Sequence, residues 1–388
     1  MSDDQKLIAE LHRTKETVRV YYEAHPPSGI PHAAWDHAVS PVEEDLFELV
    51  KNHPQFGQQG NRWFDAKDHH MNPSQAATLL VRKCQMVGAE HAVAWLNRMY
   101  AAERADVRHV TEVIGLHCPT AYQLSNGVKF MRFSEVPSSP MTSRYRQLPG
   151  HHVFATSLPR VAAVLELKDC PVTSFPPRRW QPHQVETSVH AHVLVSKHSA
   201  PSIGVCWVEF IDREMEEAAP RVGWGMPRSD APIREGLGVE VTLDDTAKVE
   251  SFLAIESVAG GVCEIAASRL IAARNRLYSG NKAIDGCIAL EALLTDKDET
   301  GDNTYRVALR SALLLGSALE ERQRIFGETR AFYNLRSRTV HGGLKTHDTD
   351  GAIAENGLRI CAEVLQKIVG LRKLPNWREL ELGAQHIL

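Results

Sequence analysis

The sequence lacks the closely spaced cysteines that build zinc sites and disulfide frameworks. Its seven cysteines are scattered along 388 residues, at positions 84, 118, 170, 206, 263, 287 and 361. An odd number of isolated cysteines argues against a disulfide-stabilised fold and against a cysteine-rich metal site. We therefore expect a protein of a reducing compartment, the cytoplasm.

The sequence also has little excess charge and no long apolar run. Its formal net charge is -4, whereas a protein that binds nucleic acid over its whole surface is normally basic. Any contact with nucleic acid must therefore be a local patch. No stretch approaches the ~18 consecutive apolar residues of a membrane span. The charged N-terminal segment has no apolar signal region, so we expect no membrane association.

The signature loops of nucleotide-binding proteins, serine hydrolases and zinc proteases are missing as well. What is present is an ordinary globular composition, with 43% hydrophobic and 24% charged residues. A chain of this length is expected to form two domains or three.

Local patterns in the first part of the chain predict a mixture of helices and strands. Helical spacing of apolar residues covers 5–22, 42–53 and about 73–115. The stretch from about 128 to 240 is predicted to be β-rich, and its best strand pair lies at 187–211. We expect antiparallel strands in an N-terminal recognition region, residues 1–240.

Helical periodicity returns after about residue 246 and continues to the end. It is strongest in the segments 266–295, 303–319, 320–341 and 350–372. Short loops join neighbouring antiparallel helices, so these segments predict a four-helix bundle. The predicted fold class is α+β, with an all-α domain at 265–388.

Three charged residues lie on helix faces that should turn inward: Glu291, Arg310 and Arg336. A buried charge is costly unless it is paired, so one acid and two arginines predict a buried network. A purely structural ion-pair network is an equally good interpretation.

The stretch YNLRSRTVHGG, residues 333–343, combines Arg336, Ser337 and His341 with the helix-stop pair Gly342 and Gly343. His341 should lie in the last helical turn, where exposed carbonyls favour a cation. A histidine can act as a general acid or base, although a capping role is the alternative. Arg336 and His341 lie about 140° apart on an ideal helix. They can converge only if the helix unwinds or a second copy faces the first.

Three segments in this order resemble the HEPN superfamily, and more closely its ApeA-like group: AIDGCIALEALLT, YRVALRSALLLG and FYNLRSRTVHGG. The resemblance covers roughly the last 120 residues. It implies a HEPN-type four-helix bundle that dimerises and cleaves RNA without a metal or other cofactor.

The resemblance also assigns roles. Arg336 and His341 would be the catalytic pair, which makes a 2′,3′-cyclic phosphate through attack by the 2′-OH of RNA. Ser337, Glu291, Arg310 and Tyr333 would support them, and Glu291 and Arg310 would position Arg336.

Basic residues crowd the same region, which suits a polyanion. We expect Arg330, Arg338 and Lys345 to bind RNA, although a solvated basic helix face is the alternative. The implied role is a bacterial toxin or anti-phage defence effector, whose N-terminal region binds a phage or cellular trigger. The alternatives are a non-catalytic dimerisation or RNA-binding module, and a toxin–antitoxin component paired with a nucleotidyltransferase.

Two weaker candidates lie outside the helical domain. His190 and His192 would share one face of a predicted strand and could bind zinc, although a polar strand face is the commoner outcome. Trp180 and Trp224 lie in loops rich in Pro, Gly and Arg, where a tryptophan can stack on a base.

Overall fold

The computed structural model describes residues 1–24, 42–56, 73–139, 142, 161–171, 183–196, 200–212, 239–255, 257–296, 303–342 and 349–383. In these ranges the chain has a mixed α+β fold, as predicted. An N-terminal antiparallel sheet lies between N-terminal helices and a C-terminal helical region.

The helices are α1 (Asp3–Ala24), α2 (Val42–Lys51), α3 (Pro73–Val87), α4 (Ala89–Ala101), α5 (His183–Ala191), α6 (Leu243–Leu253), α7 (Ser257–Asn275), α8 (Ser279–Leu294), α9 (Asn303–Leu315), α10 (Leu319–Gly342), α11 (Asp350–Leu371) and α12 (Trp377–Glu381). Within the described ranges, none of them combines the length and the hydrophobicity of a membrane span.

The strands are β1 (Arg104–Ile114), β2 (Leu116–His117), β3 (Tyr122–Gln123), β4 (Lys129–Arg132), β5 (Val161–Pro171), β6 (Ser202–Phe210) and β7 (Val239–Glu240). The main sheet has the order β3-β4-β5-β1-β6, and every neighbouring pair in it is antiparallel. β2 and β7 form a separate parallel pair.

The predicted helix over 73–115 is wrong in its last third. α3 and α4 occupy its beginning, but 104–114 is β1, which pairs with β5 on one side and β6 on the other. Val107, Val110 and Val113 are β-branched and buried. Such side chains fit a pleated surface between two partner strands better than a helix.

The predicted strand pair at 187–211 is half correct. Its second member is β6, but its first part continues α5 and a short 3-10 turn at His192–Leu194. Val185 and Val189 explain the helix, because they are four residues apart and both are buried. Val193 continues the same four-residue spacing and is also buried, so the sequence here carries a helical pattern beside its alternation.

The two faces of the sheet belong to two hydrophobic clusters. Ala162 and Val164 on β5 pack with the N-terminal helices, whereas Val161, Ala163 and Leu165 pack with the C-terminal helices. The cluster that contains the C-terminal helices therefore also includes residues of the sheet, and it continues across the domain boundary predicted between residues 240 and 265.

Polar contacts also attach the sheet region to the C-terminal helices. The buried guanidinium of Arg274, on α7, donates from Nη1 to the carbonyls of Val193 and Ser196, at 3.1 and 2.9 Å. Gln366, on α11, donates to the carbonyl of Leu194 at 2.9 Å. Burial lowers the pKa of Arg274 to about 10, so it stays charged at neutral pH.

A buried histidine in this segment makes stability depend on pH. His192 donates from Nδ1 to the carbonyl of Ser188 at 2.7 Å and accepts the hydroxyl of Tyr122 at Nε2. Burial lowers its pKa to about 4. In the unfolded chain this histidine takes up a proton at a higher pH than in the folded protein. Its contribution to the free energy of unfolding is therefore fully present above pH ~6.5 and is lost as the pH falls toward 4.

We expect the free energy of unfolding to fall by about 1–2 kcal/mol from this group between pH 7 and pH 5. His192→Gln should flatten that fall, measured by urea unfolding at both pH values. His91→Gln, at an exposed histidine of α4, is the control and should keep the wild-type slope. Equal slopes for all three proteins would contradict the prediction.

The helices predicted at 303–319, 320–341 and 350–372 agree with α9, α10 and α11 to within four residues at each end. The first segment, predicted at 266–295, is two helices, α7 and α8, with the break just before Ser279, and α7 already begins at Ser257, well before the predicted start. α8, α10 and α11 approach closely, because Gly286 and Gly357 leave room for the ring of Phe332. A Cβ at Gly357 would lie 2.2 Å from Phe332 Cγ.

Candidate functional site

The motif residues lie on α10, which continues without interruption to Gly342. His341 is therefore in the last turn, as predicted, and its side chain is exposed. Because the helix does not unwind before Gly342, the side chains of Arg336 and His341 stay about 140° apart. One copy of the chain does not bring them together.

Arg336 faces α8, where it meets Glu291. Its Nη1 lies 3.8 Å from Glu291 Oε1, which is within ion-pair distance but too long for a hydrogen bond. Its Nε is buried and has no hydrogen-bond partner among the residues that the structure describes. The side chains of Arg336 and Glu291 are 38% and 26% exposed, so the pair opens to solvent.

Tyr333 supports the carboxylate of this pair. It is buried, and its hydroxyl lies 3.4 Å from Glu291 Oε1 and 3.5 Å from the carbonyl oxygen of Cys287. Burial raises the pKa of Tyr333 well above its usual range, so the phenol keeps its proton and donates. The structure therefore brings together Glu291, Tyr333 and Arg336.

Arg310 does not join them, and the predicted network of one acid and two arginines is corrected here. Arg310 is 1% exposed, and it donates to Glu381 Oε1 and to the carbonyl of Leu294, both at 2.7 Å. Its guanidinium also lies 5.5 Å from the ring centroid of Trp377. The inward direction was predicted correctly, but the partner is on the short helix α12.

This position gives a stability prediction. Arg310→Met should lower the free energy of unfolding by about 3 kcal/mol, because it removes a buried charge-assisted pair and leaves the Leu294 carbonyl without its donor. Urea denaturation measures the change. The control is Arg378→Met at an exposed arginine of α12, which should change it by less than about 0.5 kcal/mol. A loss of less than about 1 kcal/mol in Arg310→Met would contradict a structural role.

The predicted RNA-binding residues have different surroundings. Arg330 is exposed, and its guanidinium lies 5.8 Å from the ring centroid of Phe326. Arg338 is paired at 2.6 Å with Asp350, a buried carboxylate at the start of α11. Ser337 is exposed, whereas Lys345 lies outside the described residues.

Sequence reasoning missed Asp350 and Glu381. The position of Asp350 could have been used, because it is the first residue of a predicted helix, where an acidic side chain is favoured. A basic side chain near the end of the preceding helix can form an ion pair with it there. Glu381 had none, because the segment of α12 is too short for its periodicity to indicate a buried face.

The predicted strand that would carry His190 and His192, the weaker metal candidate, is also corrected. His190 lies in the last turn of α5 and His192 lies in the 3-10 turn, so the two do not share a strand face. His192 is fully buried and bonded as described above. Among the described residues, no group of three His, Cys, Asp or Glu side chains is placed to hold a metal ion. Trp180 and Trp224 lie outside those residues.

The chain has no match among protein-family profiles, curated proteins or solved structures.

Proposed function

We propose that this protein is a metal-independent endoribonuclease of the HEPN type, in which Arg336 and His341 carry the reaction. The incomplete hydrogen bonding of Arg336 is the observation that supports this proposal most strongly. Its guanidinium stands beside a carboxylate without a hydrogen bond to it, and its Nε has no partner in the described part of the chain. An under-bonded arginine that is partly open to solvent is suited to take a phosphate through its planar fork.

The chemistry needs only a proton carrier and a source of positive charge. The 2′-OH of RNA attacks the neighbouring phosphorus, and the bond from phosphorus to the 5′ oxygen breaks. The products are a 2′,3′-cyclic phosphate and a 5′-OH. His341 takes the proton from the 2′-OH and gives it to the leaving 5′ oxygen, so the proton is conserved over the step. Arg336 stabilises the charge that develops on the non-bridging oxygens, while Glu291 and Tyr333 hold its side chain in place.

The proposal includes a homodimer, because Arg336 and His341 diverge in one chain. Val340, beside His341, is exposed, as are Leu277 and Tyr278 in the turn before α8. Gly280 lies directly against Thr339, so this turn and the end of α10 are neighbouring surfaces. Exposed apolar side chains near the end of α10 suit contact with a second copy, whose arginine then completes the site.

In this proposal the N-terminal α+β part recognises a phage or cellular trigger. The helical part then cleaves RNA in the bacterial cytoplasm, as a toxin or a defence effector. Its support is the resemblance of the helical segments and the polar and apolar contacts that connect the sheet to them, such as Arg274 with Val193.

A non-catalytic RNA-binding or dimerisation module is the second candidate. It is favoured by the divergence of Arg336 and His341 within one chain. It is also favoured by Asp350, which neutralises Arg338.

Cleavage of total RNA in EDTA tests the proposal. Purified protein should cut RNA with excess chelator present, and ligation-based mapping of the ends should find 2′,3′-cyclic phosphates opposite 5′-hydroxyls. A mock purification from cells that lack the protein is the control. Loss of cleavage in EDTA, or 3′-hydroxyl ends, would contradict the mechanism. Tight RNA binding by a dimer without cleavage would favour the second candidate.

A further inference from the structure

The exposed side of α10 carries a row of hydrogen-bond donors that includes His341 and extends well beyond it. Positions 7, 11, 14 and 18 residues after Gln323 fall within about 40° of Gln323, and within about 60° of one another, on an ideal helix. They are occupied by Arg330, Asn334, Ser337 and His341, and all five side chains are exposed. We refer to these five residues as the donor stripe.

The donor stripe contains no acidic side chain. Glu328, the nearest acid in sequence to Arg330, points elsewhere and is paired with Arg324 and Arg359. An acid-free row of amide, hydroxyl, imidazole and guanidinium groups suits a polyanion with its own hydroxyls. Arg330 and His341 are about 16 Å apart along the axis. That distance corresponds to about five stacked nucleotides.

An aromatic group borders the stripe next to Arg330. Tyr305, near the start of α9, is 54% exposed. Its ring meets that of Phe326 edge to face, with centroids 5.6 Å apart. The guanidinium of Arg330 lies over the other aromatic partner, 5.8 Å from the Phe326 centroid. Tyr305 and Arg330 thus contact the same ring, and an exposed tyrosine and a guanidinium that share one aromatic neighbour offer a suitable surface for stacking a nucleobase.

We propose that Tyr305, Phe326 and Arg330 form a base-stacking subsite for single-stranded RNA, and that the donor stripe guides the strand from there to His341. This inference rests on the proposed function and names its substrate as an unpaired strand. A duplex hides its base faces, so only an unpaired or splayed base can reach Tyr305.

Binding to fluorescent oligonucleotides tests the subsite. The full chain carrying His341→Ala, which keeps the RNA intact, is titrated with single-stranded RNA that contains 2-aminopurine at successive positions. One position should be strongly quenched by stacking. Tyr305→Ala should abolish that quenching and weaken binding about tenfold, and Tyr305→Phe should restore both. Arg330→Ala should also weaken binding, whereas Lys373→Ala, at an exposed cation beyond α11, should not.

The outcomes separate this inference from the function on which it rests. If Tyr305→Ala binds and quenches like its parent while the wild type cleaves RNA, the subsite is overturned and the nuclease stands. Equal affinity for single-stranded and duplex RNA would also overturn the subsite. If the full chain neither binds nor cleaves RNA, both proposals fail.

Discussion

Replacement of His341 by alanine is expected to slow RNA cleavage by about 10²–10⁴-fold, the usual contribution of a general acid or base. The side chain is exposed at the end of α10. Its loss should therefore leave the free energy of unfolding nearly unchanged. Single-turnover cleavage of a defined RNA measures the effect.

The matched control for this substitution is His91→Ala, which removes an exposed histidine from α4 and should cleave at the wild-type rate. Added imidazole should restore part of the activity of the His341 variant, because the cavity left by alanine is open to solvent. In cells, the wild type should arrest growth and His341→Ala should not, at equal protein level. Equal toxicity and equal cleavage would remove His341 from the mechanism.

Replacement of Arg336 by lysine is expected to lower kcat/KM by about 10²–10³-fold. Lysine keeps the positive charge but cannot present two parallel donors to the phosphate oxygens. The rate is measured with a defined RNA substrate, and stability is followed by urea denaturation. Stability should change by less than about 1 kcal/mol, because the ion pair with Glu291 is partly exposed and not hydrogen bonded.

Glu291→Gln is the companion variant, because it removes the charge that holds Arg336 while leaving the guanidinium intact. Its loss of activity should be about tenfold, smaller than that of Arg336→Lys. If Arg336→Lys cleaves at the wild-type rate, a positive charge alone is sufficient for cleavage and the two parallel donors of the guanidinium play no part. If Glu291→Gln loses more activity than Arg336→Lys, the carboxylate itself takes part in the chemistry.

The helices around the candidate site could be predicted because each one shows its own periodicity. α10 begins and ends within one residue of the predicted 320–341, since Gly342 and Gly343 follow a long segment of helix formers. Glu291 and Arg336 were expected to face inward together, and they form a pair. Local spacing was sufficient there, because Arg336 follows the buried Phe332 and Tyr333 by four and three residues and so lies on their side of the helix.

The predicted orientation of a side chain did not identify its ion-pair partner. Arg310 was correctly expected to point inward, but its carboxylate is Glu381, 71 residues away on a helix of five residues. A helical wheel gives the face on which a side chain lies and says nothing of what a distant segment places against it. The same limit applies to Arg338 and Asp350, which lie on different helices.

The errors in the N-terminal part have a different cause. The stretch that forms β1 follows two real helices, and its valines at 107, 110 and 113 are three residues apart, which also fits a helical face. β5 and β6 decide the outcome, because a strand hydrogen bonded on both sides satisfies its backbone in a sheet. Such pairing is nonlocal, and no window of sequence contains it.

The shared sheet limits how this protein can be divided. Val161, Ala163 and Leu165 on β5 are covered by the same hydrophobic cluster that continues through α7 to α12. A fragment cut near residue 265 would leave that surface uncovered on both pieces. The last 120 residues should therefore not fold as an independent unit. If recombination joined them to an unrelated sensor domain, that domain would have to cover the apolar surface that the sheet now covers.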